Sequence, residues 1–285
     1  MLVERGFLDD FNTNFNRSGS FTESVFCKIG KDLTVSYCFF GADLNRENYN
    51  NLAKDPLSEY CDKTQLIKSG LLKNNISCQE IALVKQVHGN DFINVDYRNI
   101  ATLANYQKEA DAIITKEAGL AIGVATADCL PILVFDKKIP LIASIHCGWR
   151  GAIKNIIEKV VLEMNNMGAN NLVAIIGPAI QQFSYQVDED FYYRFIDTNI
   201  ENRQFFTADP SSSGCKKLFN LPAFAFSQLN KLGVLEVVTS KIDTFSNPLY
   251  HSFRRSQKEA SNNISENFSR ANYRNFSVIV IGNKS

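Results

Sequence analysis

The chain has 285 residues, and 45% of them are hydrophobic, which is enough to bury a sizeable core in one large domain or two fused ones. Its 30 Lys and Arg residues balance its 30 Asp and Glu residues, so the charge gives no indication of a surface for nucleic acid or an anionic membrane. Seven scattered cysteines without CxxC spacing argue against a disulfide framework and favour a reducing compartment.

The first 75 residues have the least regular pattern. The N-terminus, MLVERGFLDDFNTNF, carries early acids and no long apolar core, so no secretory signal is predicted. No later apolar run reaches the length of a membrane span, and we therefore predict a cytoplasmic protein without a membrane partner. Alternating apolar residues such as LTVSYCFF predict strands in this part, followed by one helix near 58–74.

From residue 79 onward, short branched runs separated by turn residues predict strands. The predicted strands are IALVKQVH, ADAIIT, LAIGVATADC, PILVFD and PLIASIHC. The next segment predicts a helix that ends at Gly168. Its apolar residues recur at helical spacing, at Ile153, Ile156, Ile157, Val160, Val161 and Met164. LVAIIGPAI then returns to a strand, so residues 141–178 predict a strand–helix–strand unit with a parallel crossover.

The C-terminal third contains two further helices and two strands. FYYRFIDT and LPAFAFSQLNKLG predict helices, the second with Gly233 as its C-cap, and VLEVVTSKID and FSVIVIG predict strands. No repeat, linker or low-complexity boundary divides the chain. We therefore predict an α/β (α+β) fold, with a single layered domain over 1–285 that has a mixed sheet and flanking helices.

Two of the three histidines and one cysteine form a set that is typical of metal ligands. His88, Cys129 and His146 each lie where a predicted strand meets a Gly- or Pro-marked turn, in KQVHGND, TADCLP and SIHCGWRG. Two imidazoles and a thiolate suit zinc and leave a fourth position for water or substrate. A single free cysteine is more often buried core, and the spacings of 41 and 17 residues match no short zinc-finger rule. The prediction therefore depends on the shared strand-end context.

Other polar residues near this set indicate an anion site. His146 precedes a turn with Gly148 into a helix whose free N–H groups favour an anion, and Arg150 could add a phosphate contact. A tight turn with a solvated Arg150 is about equally supported. Asp128 could orient a ligand histidine or act as acid or base. Gly89 is expected to let the backbone turn directly after His88.

Four motifs in order, QVHG, TADC-L-P, H-C-GWRG and IGPAI…Y-Q-V, resemble those of the laccase-domain or polyphenol oxidase-like (YfiH-like) proteins. The resemblance covers residues 79 to 282 and implies a layered α/β fold with a mixed sheet. It implies the same metal ligands, and this family is regarded as zinc-dependent purine nucleoside phosphorylases. We predict that Gln86, Arg150, Arg254 and Arg255 bind substrate or phosphate, and that Asp128 and Arg150 are catalytic.

The chain departs from the family pattern at several positions. NRSGSF stands where an Arg-Gly-Gly-Val-Ser stretch is usual, which leaves Arg17 and Gly19 as matches. Phe183 stands for a usual cysteine, and Tyr273 for a glycine before the last arginine. None of these positions is a metal ligand, so they bear on substrate preference more than on metal binding.

The resemblance implies phosphorolysis of adenosine and inosine to the free base and ribose 1-phosphate. Phosphorolysis of 5′-methylthioadenosine and deamination of adenosine are related activities. The implied cofactor is zinc, which copper could replace adventitiously, and the implied co-substrate is inorganic phosphate. Our hypothesis is that zinc, Arg150 and the helix N-terminus share the phosphate, while Asp128 orients a ligand or handles protons.

Three different functions stay open at this point. A copper-binding polyphenol oxidase-like oxidoreductase could use the two histidines and the cysteine, but a trinuclear copper cluster needs many more histidines, and only His251 is left. A cysteine hydrolase would use Cys129 as its nucleophile. A zinc-stabilised envelope-maintenance factor would have no enzymatic activity. The preferred nucleoside and the oligomeric state do not follow from the sequence.

Overall fold

A computed structural model of the protein describes residues 22–29, 33–44, 56–103, 108–212, 216–262 and 273–283. The family matches Arg17 and Gly19 lie outside these residues. The described strands are β1 (Thr22–Ile29), β2 (Leu33–Phe40), β3 (Glu80–Ala82), β4 (Phe92–Asn94), β5 (Ala112–Thr115), β6 (Leu120–Thr126), β7 (Leu130–Asp136), β8 (Ile142–Cys147), β9 (Leu172–Ile176), β10 (Gln186–Val187), β11 (Phe206–Ala208), β12 (Lys217–Phe219), β13 (Glu236–Thr239) and β14 (Asn275–Asn283). The described α-helices are α1 (Pro56–Lys73), α2 (Trp149–Ile153), α3 (Ile156–Asn166), α4 (Glu189–Ile196), α5 (Leu221–Lys231) and α6 (Phe253–Asn262).

The described strands form three sheets rather than the one mixed sheet that we predicted. A five-stranded sheet has the order β1-β2-β14-β6-β3, and a six-stranded sheet has the order β13-β9-β7-β8-β5-β4. Both are mixed: β3 pairs with β6, β13 with β9 and β4 with β5 in parallel, while their remaining pairs are antiparallel. A small antiparallel sheet has the order β10-β12-β11. The α/β class is confirmed, but the sequence pattern could not separate strands that pair in one sheet from strands that stack as two.

The strand β7 shows why the central runs are apolar on both faces. Leu133 and Phe135 belong to a core shared with β2, β6 and β14 of the five-stranded sheet. Ile132 and Val134 belong to a second core shared with α3 and α5. Because each face of β7 is covered by a different layer, its residues are all buried and show no polar alternation.

The predicted crossover between β8 and β9 is confirmed, with one strand between them. The strand β7 lies between β8 and β9 and is antiparallel to both, so β8 and β9 are parallel to each other. The carboxyl ends of β8, β9 and β13 therefore meet at one edge of the six-stranded sheet, together with the start of β7. We call this edge the site edge, because all three predicted metal ligands lie there.

Several elements differ from the sequence prediction. The strand predicted for IALVKQVH ends at Ala82, so the residues up to His88 form a loop. The helix predicted over 152–168 is two helices, α2 and α3, because Asn155 adopts a left-handed conformation with φ 61°. Helix α6 was not predicted, since its sequence FRRSQKEASN is polar nearly throughout and shows no apolar stripe.

Other predicted elements are confirmed. The helix near 58–74 is α1, and the helices predicted from FYYRFIDT and LPAFAFSQLNKLG are α4 and α5. Gly168 and Gly233 have φ values of 103° and 76°, as expected for glycines that follow helix ends. Of the helices in the described ranges, none is both long and apolar enough to cross a membrane. The single domain over 1–285 stays a prediction.

Candidate metal centre

The three predicted ligands come from three separate segments and meet at the site edge. His88 lies in the loop after β3, Cys129 in the turn between β6 and β7, and His146 next to the last residue of β8. Their donor atoms all lie within 4.8 Å of one another. The two imidazole rings stand nearly perpendicular, at 83°, with centroids 4.7 Å apart. This arrangement lets the three side chains bind one ion.

Asp111, which the sequence pattern did not indicate, holds two of the three ligands in place. Its Oδ1 lies 2.7 Å from Nδ1 of His146 and accepts the backbone N–H of His88 at 2.9 Å. Its Oδ2 accepts the N–H of Gly89 at 2.6 Å. An ionised carboxylate only accepts hydrogen bonds, so Nδ1 of His146 carries a proton, and Nε2 is the ring nitrogen left to face Cys129 and a metal.

The loop around His88 has an unusual backbone that these hydrogen bonds explain. His88 itself has φ 58°, in the left-handed region, whereas we expected Gly89 to provide the turn. The carboxylate of Asp111 accepts N–H groups from Val87, His88 and Gly89 in succession, which requires the chain to curl around it. The turn is therefore set by the buried carboxylate rather than by the glycine.

Asp128 is the second residue at the site edge with a left-handed backbone, at φ 85°. Its Oδ1 accepts from Oγ1 of Thr244 at 2.7 Å, and its Oδ2 accepts the backbone N–H of Arg254 at 2.7 Å. The role of orienting a ligand histidine, which we proposed for Asp128, thus belongs to Asp111. Asp128 instead connects the turn that carries Cys129 to the start of α6.

The ligands also interact electrostatically. Burial opposes ionisation of the Cys129 thiol, but the charge of His146 and hydrogen bonds from both histidines lower the pKa of the thiol to about 6. Burial opposes protonation of His146, but Cys129 and Asp111 outweigh it and raise the pKa of the imidazole to about 9. Cys129 thus has thiolate character near neutral pH, which is the form that binds metals.

The space between the ligands depends on Gly148. A Cβ on this residue would lie 3.0 Å from Sγ of Cys129 and 3.1 Å from Cδ2 of His88, tighter than ordinary contacts. Only a glycine leaves this gap open. With two nitrogen donors, one sulfur donor and no fourth protein ligand in the described group, the donor set fits zinc with an open position, and it also suits copper.

A cavity of about 680 Å³ opens over the three ligands. Its other polar lining residues include Gln86, Asp128, Arg150, Tyr185, Arg254 and Arg274. Trp149, Leu221, Phe253 and Phe276 supply apolar wall. A volume of this size falls in the range of small-molecule sites, and more than half of the lining residues are polar or charged.

Three arginines line this cavity, and two of them, Arg150 and Arg254, lie close to aromatic rings of its wall. The guanidinium carbon of Arg150 lies 4.5 Å from the centroid of the Trp149 ring. Nη1 of Arg254 donates to the carbonyl of Gln186 at 2.9 Å, and its guanidinium lies over the Tyr185 ring at 5.5 Å. Across the part of the chain that the structure describes, neither arginine pairs with a carboxylate. Their charge is therefore available to an anion.

The remaining two predicted binding residues have structural contacts. Both ends of the Gln86 amide are hydrogen-bonded to the backbone of Ala125, at 2.7 and 2.8 Å, although the side chain lines the cavity. Arg255 does not line it. Its guanidinium donates to the carbonyls of Thr244, Phe245, Asn247 and Tyr250 and thus holds the loop before α6 together, while its phosphate contact stays a prediction.

The sequence of this chain is similar to those of a known protein family and of several proteins in it. The family model described as multi-copper polyphenol oxidoreductase laccase matches residues 62–265. A purine nucleoside phosphorylase of Rickettsia conorii is 35% identical over 225 residues, which are 78% of this chain and 90% of the relative. An adenosine deaminase from an unknown prokaryotic organism is 32% identical over 126 residues, 42% of this chain and 48% of the relative.

Solved structures have the same fold at lower identity. The hypothetical protein YfiH of Bacillus licheniformis aligns with a TM-score of 0.69 and 19% identity, covering 91% of this chain and 99% of that chain. A Neisseria meningitidis protein aligns with a TM-score of 0.65 and 22% identity, with the same two coverages. These likenesses extend the shared architecture over nearly the whole chain.

Proposed function

Since this chain belongs to the multi-copper polyphenol oxidoreductase laccase family, we propose that it is a metal-dependent purine nucleoside phosphorylase that cleaves adenosine and inosine with inorganic phosphate. Relatives with long alignments to this chain are named purine nucleoside phosphorylases. The observation that carries the proposal is one cavity that contains both the three-donor group and two guanidinium groups without carboxylate partners. Zinc is the metal that we propose, and the cytosol is the compartment.

In the proposed reaction, the metal ligands and the two arginines have separate roles. Phosphorolysis requires an oxyanion to be held against C1′ of the ribose while positive charge develops on the sugar. His88, Cys129 and His146 would hold a zinc ion, which would supply a Lewis acid to this cavity when bound. Arg150 and Arg254 neutralise the charge of the phosphate and fix its orientation through their planar donor groups.

The helix N-terminus contributes less than the sequence suggested. Helix α2 has only five residues, because Asn155 separates it from α3. The partial charge at a helix end arises from aligned peptide units, and one turn supplies few of them. We therefore assign phosphate binding to the arginines and the metal rather than to the start of α2.

Asp128 retains a role at the reacting end. Its two oxygens are hydrogen-bonded to Thr244 and to the N–H of Arg254, and it lines the cavity. These contacts fix the position of Arg254 relative to Cys129, the next residue in the chain. We propose Asp128 as a residue that positions the phosphate-binding arginine and carries a negative charge near the ribosyl centre.

The laccase chemistry in the family description is not what we propose. The whole sequence has three histidines, and two of them are in the candidate metal centre. A multicopper oxidase needs many more histidines for its trinuclear cluster. Copper bound at the candidate centre would thus be a substitute for zinc in the same three-ligand position.

The test combines metal analysis with product analysis. Purified wild-type protein is expected to contain about one zinc ion per chain and to release hypoxanthine and ribose 1-phosphate from inosine only when phosphate is present. The variant His146→Ala is expected to lose both the metal and the activity. His251→Gln is the matched control, since this histidine lies outside the candidate metal centre. A metal-free wild-type protein with activity that survives His146→Ala would refute the proposal.

Deamination of adenosine is the second candidate, because one relative is named an adenosine deaminase. It would convert adenosine to inosine and ammonia, with no need for phosphate. Omitting phosphate from the assay separates the two reactions, since only the deaminase produces inosine under that condition. Both reactions use the same metal centre, so His146→Ala is expected to abolish either.

A cysteine hydrolase and a non-enzymatic zinc protein would each behave differently from a phosphorylase. In a cysteine hydrolase, an alkylating reagent would trap Cys129 with or without a chelator, whereas a metal-bound thiolate reacts mainly after chelation. A zinc-stabilised protein without enzymatic activity would unfold on metal removal and would turn over no nucleoside at any phosphate concentration.

A further inference from the structure

Tyr185 occupies a position that the proposed mechanism does not yet use. It follows a short 3-10 helix, Gln182–Ser184, and lines the main cavity. Together with Trp149 and Arg254, it also lines a smaller adjoining cavity of about 260 Å³. These three side chains therefore form the partition between the two spaces.

The ring of Tyr185 is held in place, whereas its hydroxyl is not bonded to the protein. Its centroid lies 6.0 Å from that of Phe191 and 5.7 Å from that of Phe219. Its backbone N–H donates to Gln182, and its carbonyl accepts from Phe219. Within the described ranges no protein group hydrogen-bonds the phenol oxygen. Tyr185 is half-buried and lines the main cavity, so its hydroxyl, without a protein partner in the described ranges, is available to a ligand there.

The charges around the hydroxyl indicate which ligand it binds. Burial raises the pKa of Tyr185 far above its ordinary value, so the phenol stays protonated and can donate. The negative charges of Cys129 and Asp128 raise this pKa further, whereas the positive charges of Arg254 and Arg150 lower it. A neutral O–H donor beside two guanidinium groups without carboxylate partners matches an oxyanion with several acceptor oxygens.

We propose that the Tyr185 hydroxyl donates a hydrogen bond to the oxyanion that Arg150 and Arg254 bind. Under the proposed function, on which this inference rests, the oxyanion is inorganic phosphate. No bond is made or broken at the tyrosine, because its hydroxyl remains a donor throughout. Tyr185 is thus a residue that determines phosphate affinity.

The substitution Tyr185→Phe removes only the oxygen, which has no protein partner within the described ranges, so the fold and the metal content are expected to remain. The KM for phosphate is expected to rise about 10- to 100-fold, as for the loss of a hydrogen bond to a charged group, while the KM for inosine stays within about twofold. Tyr193→Phe is the matched control, since Tyr193 is half-exposed on α4 and its ring contacts only Tyr192 among the described aromatic residues.

A direct binding measurement separates this inference from the proposed function. Calorimetric titration of the zinc-loaded protein with inorganic phosphate, without nucleoside, is expected to show weaker binding for Tyr185→Phe than for wild type. If wild type binds phosphate but cleaves no nucleoside, the proposed function fails and the titration still tests the tyrosine.

Two results would overturn the inference. One is an unchanged phosphate affinity in Tyr185→Phe, and the other is a rise in the KM for inosine alone. Should the phenylalanine variant lose its metal or unfold, Tyr185→Met provides a second variant that lacks the hydroxyl and can be titrated in the same way. Phosphate binding by that variant at the wild-type affinity would equally refute the role of the hydroxyl.

Discussion

Two buried aspartates at opposite edges of the six-stranded sheet have similar hydrogen-bonding surroundings but different roles. Asp111 precedes β5 at the site edge, and Asp136 ends β7 at the other edge. Both are essentially inaccessible to solvent, at 0% and 1% relative exposure. Both accept several backbone N–H groups, and the pKa of each lies below its ordinary value although burial raises it. For Asp111 the hydrogen bond and charge of His146, with the backbone N–H groups, outweigh burial, whereas for Asp136 the backbone N–H groups do so.

The partners make the difference. Asp136 accepts four backbone N–H groups, from Lys138, Ile139, Asn170 and Asn171, and thereby joins the turn after β7 to the turn before β9. Asp111 accepts three and also binds the ring of His146. A buried carboxylate that satisfies backbone N–H groups is thus a structural device, and it becomes a functional one only where a ligand side chain is among its partners.

Replacing each aspartate by asparagine tests most directly whether Asp111 supports metal binding and Asp136 supports only the fold. Asp111→Asn is expected to lower zinc affinity about 10- to 100-fold, with a comparable loss of activity at limiting metal, because the amide no longer fixes the tautomer of His146. The measurement is competition for zinc with a chelating dye, followed by turnover of inosine. Zinc affinity equal to that of wild type would show that His146 is oriented without the carboxylate.

Asp136→Asn is expected to affect stability and leave metal binding unchanged. An amide keeps one acceptor oxygen and turns a donor towards two backbone N–H groups, so the free energy of unfolding is expected to fall by roughly 2–4 kcal/mol. Chemical denaturation of the zinc-free protein measures this difference. Weaker zinc binding by Asp136→Asn would contradict the conclusion that only Asp111 supports the metal centre.

The smallest expected effect is the pH dependence of the stability difference between wild type and Asp136→Asn. It tests whether the charge of the carboxylate stabilises the turns. The folded pKa of Asp136 is depressed, so its contribution is present above the unfolded pKa of about 3.9 and is lost as the pH falls through the folded value. The stability difference between wild type and Asp136→Asn is therefore expected to be full above about pH 5 and to shrink below about pH 4. A difference that stayed constant down to about pH 3 would mean that the carboxylate charge is not what stabilises the turns.

The sequence predicts the central sheets well because their strands are buried on both faces. Runs such as LPILVF are apolar throughout and end at a turn that Asp136 begins, so both their type and their limits follow from local pattern. Helix α6 could not be predicted in this way, since it is polar and its start is fixed by Asp128, which lies 126 residues away from Arg254. A long-range hydrogen bond leaves no periodic signal.

The ligands of the candidate metal centre could be predicted, whereas the residues that organise them could not. His88, Cys129 and His146 each lie where a predicted strand meets a Gly- or Pro-marked turn, and this shared context together with residue type selects them. Asp111 and Asp136 are ordinary acids beside apolar strands, and nothing local distinguishes the one that meets a histidine. The only signal for Asp111 is an acid placed directly before the fully buried strand AIIT, which requires partners from elsewhere.

The distances along the chain between hydrogen-bonded partners also set an order of assembly. Asp111 meets His88 and His146 across 23 and 35 residues, whereas Asp128 meets Thr244 and Arg254 across 116 and 126 residues. Contacts between nearby segments close smaller loops and form sooner than those between distant segments. We therefore expect a refolding chain to become able to bind zinc before it becomes able to bind phosphate. A folding intermediate that binds zinc but not phosphate would then precede the native state.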